Sequence, residues 1–163
     1  MEIKEFLKKQ DLMEVSGDES MVYVGSPCLN FVKEYVQKYD NDFYEPLSSR
    51  VNIDSFAQKL SDLSTCFLLF ERDVLAGMIC AYFYQQESGK GYITLTHTKK
   101  EFRGAHVAKR LLDAVRSYAK DRGFIFVDLA VYNENVSAYN LYLHYGFTPL
   151  SNNGVRSEMR LTL

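Results

Sequence analysis

A nearly unbroken run of apolar residues at 124–131 is the feature that most restricts the fold of this 163-residue chain. The run reads Phe-Ile-Phe-Val-Asp-Leu-Ala-Val, and Gly123 directly before it ends a segment with apolar residues at helical spacing. Such an apolar strand is typical of a parallel strand covered on both faces. The chain is therefore predicted to be an α/β protein with this run as a buried strand of its sheet.

The pattern on either side of the run predicts a mixed, mostly antiparallel sheet with flanking helices. Further strands are expected at residues 21–24, 66–70, 74–84, 92–98 and 157–163. Helices are expected after Ser26-Pro27, from a cap at Asp54, from Arg103-Gly104 to Gly123, and over 137–145. No repeat, linker or low-complexity tract interrupts the chain, so residues 1–163 are expected to form one domain.

Charge and cysteine content exclude several classes of function. Lys and Arg number 19 and Asp and Glu number 21, so the net charge is −2 and a general nucleic-acid binder, which needs a strongly basic face, is disfavoured. Cys28, Cys66 and Cys80 form no CxxC pair, so neither a disulfide framework nor a metal site is expected. The sequence shows no signal peptide and no span for a membrane, and a cytoplasmic protein is the expectation.

A basic turn before the third predicted helix has the composition of a phosphate site. Residues 99–108 read Lys-Lys-Glu-Phe-Arg-Gly-Ala-His-Val-Ala, and Lys109 and Arg110 follow. A helix N-terminus presents unpaired backbone N–H groups and the positive end of the helix dipole. The small residues Gly104, Ala105 and Ala108 let phosphates approach that backbone closely. Because neither GxxxxGK[ST] nor GxGxxG occurs, the turn predicts a polyphosphate site of another kind.

A second motif follows the apolar strand and indicates which kind of phosphate site the basic turn forms. Asn135, Ala138, Tyr142, Gly146 and Phe147 fit the spacing Asn-x-x-Ala-x-x-x-Tyr-x-x-x-Gly-Phe. With the basic turn, this resembles the GNAT superfamily of acetyl-CoA-dependent N-acetyltransferases, whose phosphate signature is Arg/Gln-x-x-Gly-x-Gly/Ala. In that signature Arg103 and Ala108 match, and His106 stands at the middle glycine. The resemblance covers essentially the whole chain and is strongest over 92–150.

The resemblance implies the fold, the cofactor and its site. The implied fold is a mixed sheet whose one parallel strand pair splays apart to admit acetyl-CoA. In this family the strand matching Leu95 to Thr98 binds the pantetheine arm through its backbone, and the helix start holds the pyrophosphate. The implied cofactor-binding residues are therefore Thr96, His97, Thr98, Arg103, Gly104, Ala105, His106, Val107, Ala108, Asn135, Ala138 and Tyr142.

The implied reaction is attack of an amine on the acetyl thioester in a ternary complex, without a metal. Tyr142 would protonate the departing thiolate, and a fixed backbone donor would stabilise the oxyanion. The base candidates are His97, which titrates near neutral pH, Glu134 at the end of the apolar strand, or water. Strand alternation points Thr96 and Thr98 away from His97 unless a bulge resets the phase. Asp128 and His144 are interpreted as structural residues.

The acceptor is expected to be a primary amine of a small molecule or of a peptide or protein. Aromatic residues able to wall its pocket are Phe43, Tyr44, Tyr82, Tyr84, Tyr92 and Tyr132. Some of them can equally form the core or a homodimer surface. The alternative function, from another class, is a non-catalytic module of the same fold that binds acyl-CoA or a partner; His106 at the glycine position favours it, and the intact motif around Tyr142 opposes it.

Overall fold

Eight strands form one mixed sheet in this computed structural model, which describes residues 2–15, 19–84 and 86–163. Their order across the sheet is β1-β2-β3-β4-β5-β6-β8-β7, and β5 and β6 are the parallel neighbours among the described residues. The strands are β1 (Leu7–Val15), β2 (Ser20–Pro27), β3 (Ser64–Glu71), β4 (Val74–Tyr82), β5 (Lys90–Thr98), β6 (Phe126–Tyr132), β7 (Thr148–Asn152) and β8 (Arg156–Thr162). The predicted fold class, a mixed and mostly antiparallel sheet, is confirmed.

Helices cover both faces of this sheet and give the chain two cores. The helices are α1 (Leu29–Lys38), α2 (Ile53–Leu63), α3 (Val107–Asp121) and α4 (Val136–Tyr145). α3 and α4 bury Leu111, Val115 and Tyr142 against one face, whereas α1 and α2 bury Val36 and Leu60 against the other. The predicted apolar strand is β6, and its hydrophobic side chains Val127, Leu129 and Val131 belong to the first of these cores.

β5 and β6 separate part-way along their length. Their pairing runs from Lys90 opposite Phe126 to Ile93 opposite Leu129 and ends there, although both strands continue. At the same place β5 carries a bulge, because Cys80 and Ala81 of β4 face Leu95 and Ile93, which leaves Thr94 as the extra residue. Ile93 therefore packs in the core below α3, and Leu95 packs in the core below α1 and α2. The strand separation that the resemblance implies is therefore present. The bulge precedes Thr96, so Thr96 and Thr98 still lie on the face opposite His97, as strand alternation predicts.

The start of α3 differs from the prediction. The helix was expected to open at Arg103-Gly104, but a 3-10 turn occupies Lys100–Phe102 and α3 begins only at Val107. The connecting loop curls because Gly104 and His106 both have positive φ, 82° and 61°. His106 is the residue just before the helix and adopts the left-handed conformation that glycine favours. The backbone at His106 therefore adopts the conformation that a glycine would favour, although no glycine is present there.

Two smaller expectations are corrected, and two strands are added. The cap of α2 is Asn52, whose side chain accepts a hydrogen bond from the N–H of Ser55 at 2.9 Å, whereas Asp54 pairs with Lys33. β4 ends at Tyr82 rather than at residue 84. β1 and β7, which the sequence pattern does not reveal, are the two edge strands of the sheet.

Gly77 of β4 allows α3 to approach the sheet, and this gives a first prediction. A Cβ at this position would lie 2.8 Å from the carbonyl oxygen of His97 and 2.9 Å from Cγ1 of Val107. Because the His97 oxygen belongs to the strand backbone, Gly77→Ala is expected to push the start of α3 away from β5 and to cost about 1–3 kcal/mol of unfolding free energy. Urea unfolding measures this cost, and a loss below about 0.5 kcal/mol would contradict the packing argument.

Candidate functional site

A cleft of about 560 Å³ opens where β5 and β6 separate. Its walls are the outer half of β5, the loop that precedes α3, and the first turns of α3 and α4. The lining residues are Asp42, Tyr44, Thr96, Thr98, Phe102, Arg103, Gly104, His106, Val107, Ala108, Lys109, Asn135, Ser137, Ala138, Leu141 and Tyr142. The cleft therefore brings together both sequence motifs, which are some thirty residues apart in the chain.

A smaller pocket of about 160 Å³ lies beside this cleft, over the bulge of β5. It is lined by Phe43, Tyr44, Glu45, Arg50, Ile93, Thr94, Leu95, Thr96, Leu129, Ala130, Val131, Tyr132, Asn135, Ala138, Tyr142 and Arg156. The two spaces share five residues, namely Tyr44, Thr96, Asn135, Ala138 and Tyr142. A group bound in the cleft and a second molecule bound in the pocket would meet at Tyr142.

Most of the predicted cofactor-binding residues line the larger cleft. Of the twelve, His97 and Ala105 are absent from its walls. Ala105 lies in the loop before α3, where its carbonyl oxygen accepts a hydrogen bond from Arg110. Asn135 lines both spaces, and its side-chain oxygen also accepts from the N–H of Ala138 at 3.5 Å, so it caps α4. The capping of α4 therefore also helps to hold Asn135 at the cleft.

The start of α3 provides donors for an anion. No side chain caps the first turn of this helix, so its first N–H groups, which lack partners within the helix, are left for a ligand. Arg103 lies beside them and donates through Nε to the carbonyl oxygen of Thr98 at 3.3 Å. Further along the cleft, Oγ1 of Thr96 is buried beside the Tyr142 hydroxyl. These groups fit the phosphates and the polar arm of a coenzyme A thioester.

The basic residues of this region are more strongly paired than their sequence suggests. Lys109 lies 3.1 Å from Asp113, and Lys100 lies 3.6 Å from Asp42. Arg110 pairs with Glu71 and also donates to Oγ of Ser20 at 2.7 Å and to the Ala105 carbonyl oxygen at 3.1 Å. Arg110 therefore braces the loop before α3 against β2 and β3. In the described chain Arg103 has no carboxylate within 4.0 Å, which leaves its charge available to a ligand.

Tyr142 sits at the junction of the two spaces and is buried, with 7% of its surface exposed. Its ring packs edge-on against Phe147, with the centroids 5.5 Å apart, which fixes the direction of the phenol. Burial raises the pKa of Tyr142, and the nearby Thr96 hydroxyl offsets only part of that rise. The phenol is thus protonated at neutral pH, as a proton donor must be.

His97 lies on the opposite face of β5, where its ring is enclosed by Tyr35, Tyr39 and Phe43. The Tyr35 hydroxyl is 2.7 Å from Nδ1, and an Asp42 carboxylate oxygen is 3.1 Å from Nε2. Because a carboxylate only accepts, Nε2 carries the proton and Nδ1 accepts from Tyr35. Burial lowers the pKa of His97, although Asp42 opposes that shift. The neutral ring holds Asp42, which itself lines the cleft.

A loop between α1 and α2 bridges the gap between β5 and β6. The Tyr44 hydroxyl donates to Glu134 at 3.2 Å, and the Tyr132 hydroxyl donates to Glu45 at 2.5 Å. The rings of Tyr44 and Tyr132 lie 5.1 Å apart. In one pair the tyrosine belongs to the loop, and in the other it belongs to β6. Together the two pairs connect residues 43–50 to the end of β6 beside the smaller pocket.

Several solved structures share this architecture. A probable acetyltransferase from Staphylococcus epidermidis superposes with a TM-score of 0.70 at 18% identity, over 88% of this chain and 98% of that chain. PaiA N-acetyltransferase from Thermoplasma acidophilum, solved with coenzyme A, gives 0.65 at 16%, over 87% and 99%. A putative streptothricin acetyltransferase from Bacillus anthracis, solved with acetyl coenzyme A, gives 0.56 at 20%, over 62% and 63%. The chain thus spans somewhat less than two thirds of the last protein.

The family model described as Acetyltransferase (GNAT) family matches residues 31–147. This chain belongs to the GNAT acetyltransferase family. The match contains both motifs, most of α1 and the whole of α2 to α4, so the resemblance read from Arg103 and from Asn135 to Phe147 is confirmed.

Other predicted residues of this GNAT protein have structural roles. Asp128 is buried and accepts two hydrogen bonds, both 2.9 Å, from Arg160 on β8. His144 is bonded through Nδ1 to the carbonyl oxygen of Asn140, one helical turn back. Tyr82, Tyr84 and Tyr92 line a separate depression, whereas Phe43, Tyr44 and Tyr132 line the smaller pocket. The predicted aromatic wall is therefore divided between two places.

Four charged residues at the site were missed in the sequence, namely Asp42, Glu45, Arg50 and Arg156. Asp42, Glu45 and Arg50 belong to a loop without helical or strand periodicity, and Arg156 begins β8 opposite Tyr132. Only the clustering of aromatic residues around Glu45 signals this loop.

Within the described ranges, no group of His, Cys, Asp or Glu side chains is arranged to hold a metal ion. None of the helices described here is long and apolar enough to cross a membrane.

The burial of His97 makes the stability of this GNAT domain depend on pH. Its lowered pKa means that the unfolded chain binds a proton more readily than the folded one, so stability is lost as pH falls through the ordinary histidine range. Between about pH 7 and pH 5, wild type is expected to lose more unfolding free energy than His97→Gln. Urea unfolding at the two pH values tests this, and equal losses in both proteins would contradict it. Asp42, whose pKa is lowered by the His97 hydrogen bond, acts only at more acidic pH.

Proposed function

We propose that residues 1–163 form one N-acetyltransferase domain that moves the acetyl group of acetyl-CoA to a primary amine by direct attack in a ternary complex. The observation that carries this proposal is the junction of the two spaces at Tyr142, Thr96, Asn135 and Ala138. A long cofactor fits the larger cleft and a small amine fits the pocket, so both reactants approach the same phenol without a covalent enzyme intermediate.

The residues proposed to hold acetyl-CoA follow the larger cleft. The first N–H groups of α3 and the guanidinium of Arg103 would bind the pyrophosphate, and Gly104 and His106 shape the loop around it. β5 has no neighbouring strand on its β6 side beyond Ile93, so the backbone of Leu95 to Thr98 can pair with the pantetheine arm instead. Acetyl-CoA supplies an acetyl group activated as a thioester.

Tyr142 is proposed as the general acid. It lies where the thioester sulfur would end, and burial keeps its phenol protonated at neutral and mildly alkaline pH. A thiolate with an ordinary pKa near ~8.5 is a better leaving group when a proton is delivered to it. A backbone N–H of β5 beside the bulge is proposed to stabilise the oxyanion.

His97 is proposed as a positioning residue and water as the proton acceptor. Both ring nitrogens of His97 are engaged, by Tyr35 and by Asp42, and the ring lines neither space. Its Nε2–H holds the Asp42 carboxylate at the wall of the larger cleft. Glu134, the other base candidate, is exposed and is bonded to Tyr44.

The alternative of a non-catalytic acyl-CoA-binding or partner-binding module gains no support from His106. Its sequence basis was the loss of a glycine, but His106 adopts the positive φ that the glycine would provide. A cytoplasmic location and a homodimer stay predictions.

Removal of the Tyr142 hydroxyl is expected to impair turnover and spare binding. In Tyr142→Phe, kcat should fall by about 10²- to 10⁴-fold because a general acid is lost. The dissociation constant of acetyl-CoA should change by less than about threefold, since the ring and its packing remain. Thiol release over a panel of amines gives kcat, and calorimetry gives the affinity.

Tyr145→Phe is the matched control. Tyr145 lies on the same helix and donates to Asp113 at 2.7 Å, away from both spaces. Its loss should leave kcat within about threefold of wild type. Wild-type turnover in Tyr142→Phe would remove Tyr142 as the acid, and binding of acetyl-CoA without turnover on any amine would establish the non-catalytic module.

The role of His97 is tested by the pH dependence of the rate. In His97→Ala we expect the rising alkaline limb of kcat/KM to persist, with KM for acetyl-CoA raised because Asp42, which lines the cofactor cleft, loses its support. His97→Gln, which can still donate to Asp42, should restore most of the KM. A limb that shifts or vanishes in His97→Ala would instead identify His97 as the base.

A further inference from the structure

The smaller pocket carries a pair of guanidinium groups without a carboxylate partner. The guanidinium carbon of Arg156 lies 5.2 Å from the centre of the Tyr132 ring, and that of Arg50 lies 5.6 Å from the same centre. Both side chains line the pocket. In the described parts of the chain, neither has a carboxylate oxygen within 4.0 Å. Two cations are thus held over one ring at the wall of the pocket.

Three other arginines of the chain do have carboxylate partners. Arg72 pairs with Glu19, Arg110 with Glu71, and Arg160 with Asp128. Arg156 is also partly buried, and its Nε is a buried donor without any partner. A buried donor left unpaired costs free energy unless a ligand satisfies it. Arg156 therefore presents an unpaired donor to an anion bound in the pocket.

The acidic residues nearby do not supply that anion. Glu45 lines the pocket, and its carboxylate accepts from the Tyr132 hydroxyl at 2.5 Å. Glu134 accepts from Tyr44 and lies outside the pocket wall. Counting the charged side chains of the wall, Arg50 and Arg156 against Glu45, gives 2 − 1 = +1 for the pocket of a protein whose net charge is −2.

We infer that the acceptor is a small primary amine that also bears a carboxylate, an inference that rests on the proposed acetyl transfer. A guanidinium is planar and presents paired donors that match a carboxylate at two points. The carboxylate would bind Arg156 and Arg50 beside Tyr132, and the amine would then point to Tyr142 and Thr96, which line the same pocket. A pocket of about 160 Å³ suits a molecule of few heavy atoms better than a folded protein surface.

The chemical step balances with this acceptor. The amine nitrogen forms a bond to the acetyl carbon, and the bond from that carbon to the sulfur breaks. The nitrogen loses one proton to water, and the sulfur leaves as a thiolate that takes a proton from Tyr142, whose phenolate then regains a proton from water. The carboxylate takes no part in the exchange of electrons and serves only to orient the amine.

Matched acceptor pairs test the inference with acetyl-CoA saturating. Each amino acid is compared with the amine that lacks its carboxylate: 4-aminobutyrate with propylamine, lysine with cadaverine, and tyrosine with tyramine. For at least one pair we expect kcat/KM for wild type to be about tenfold or more higher with the carboxylate. In Arg156→Gln and Arg50→Gln that ratio should fall about tenfold, towards one, mainly through KM for the amino acid. Arg156→Lys, which keeps the charge but not the fork, should retain part of the preference.

The controls separate this inference from the proposed function. Arg72→Gln removes an exposed arginine of the β3–β4 turn and should keep the wild-type ratio. Because Arg50 is exposed, Arg50→Gln provides a folded variant even where Arg156→Gln is unstable, and an unchanged affinity for acetyl-CoA verifies the fold. Ratios near one in wild type, ratios that survive both substitutions, or turnover only on peptides would overturn the inference. No turnover on any amine would overturn the acetyl transfer itself.

Discussion

The separation of two parallel strands is the constraint on which the rest of the site depends. β5 and β6 pair only as far as Ile93 and Leu129, and a bulge at Thr94 turns the following residues of β5 over. Without the bulge, the alternation that places Ile93 below α3 would place Leu95 there as well. With it, Thr96 points to Tyr142 and His97 points to Asp42. One extra residue in one strand thus decides on which face of the sheet Thr96 and His97 each lie.

The sequence predicts the elements that obey a simple periodicity and misses those that do not. β6 and α3 follow from apolar runs that are continuous or helical in spacing, and the motif from Asn135 to Phe147 falls on α4 as expected. β7 contains Pro149 and is exposed throughout, and β1 is an edge strand with two irregularities in its register. Edge strands of this kind carry little hydrophobic signal. Their existence depends on the neighbour that pairs with them.

The roles of the charged residues at the site could not be predicted from the sequence either. The lysines and arginines at 99–110 look alike in the sequence, yet Arg110 braces a loop, Lys109 pairs with Asp113, and Arg103 is left for a ligand. The acidic partners Glu71 and Asp42 come from distant segments, so no local pattern could distinguish these roles. His97 is a similar case, because only the packing of Tyr35 and Asp42 against it decides which atoms of its ring are available.

The bridge from residues 43–50 to the end of β6 has a consequence for ligand exchange. Two unpaired strand edges that face each other would tend to close and form further ladder hydrogen bonds. Asp42 of the loop between α1 and α2 is bonded to His97 on β5, and the pairs Tyr44–Glu134 and Tyr132–Glu45 fasten the same loop to the end of β6, so one loop is anchored to the strands on both sides of the gap. The gap is therefore propped open by the fold. The free energy needed to keep the two strands apart is part of the free energy of folding. An incoming molecule therefore does not have to separate the strands each time it binds.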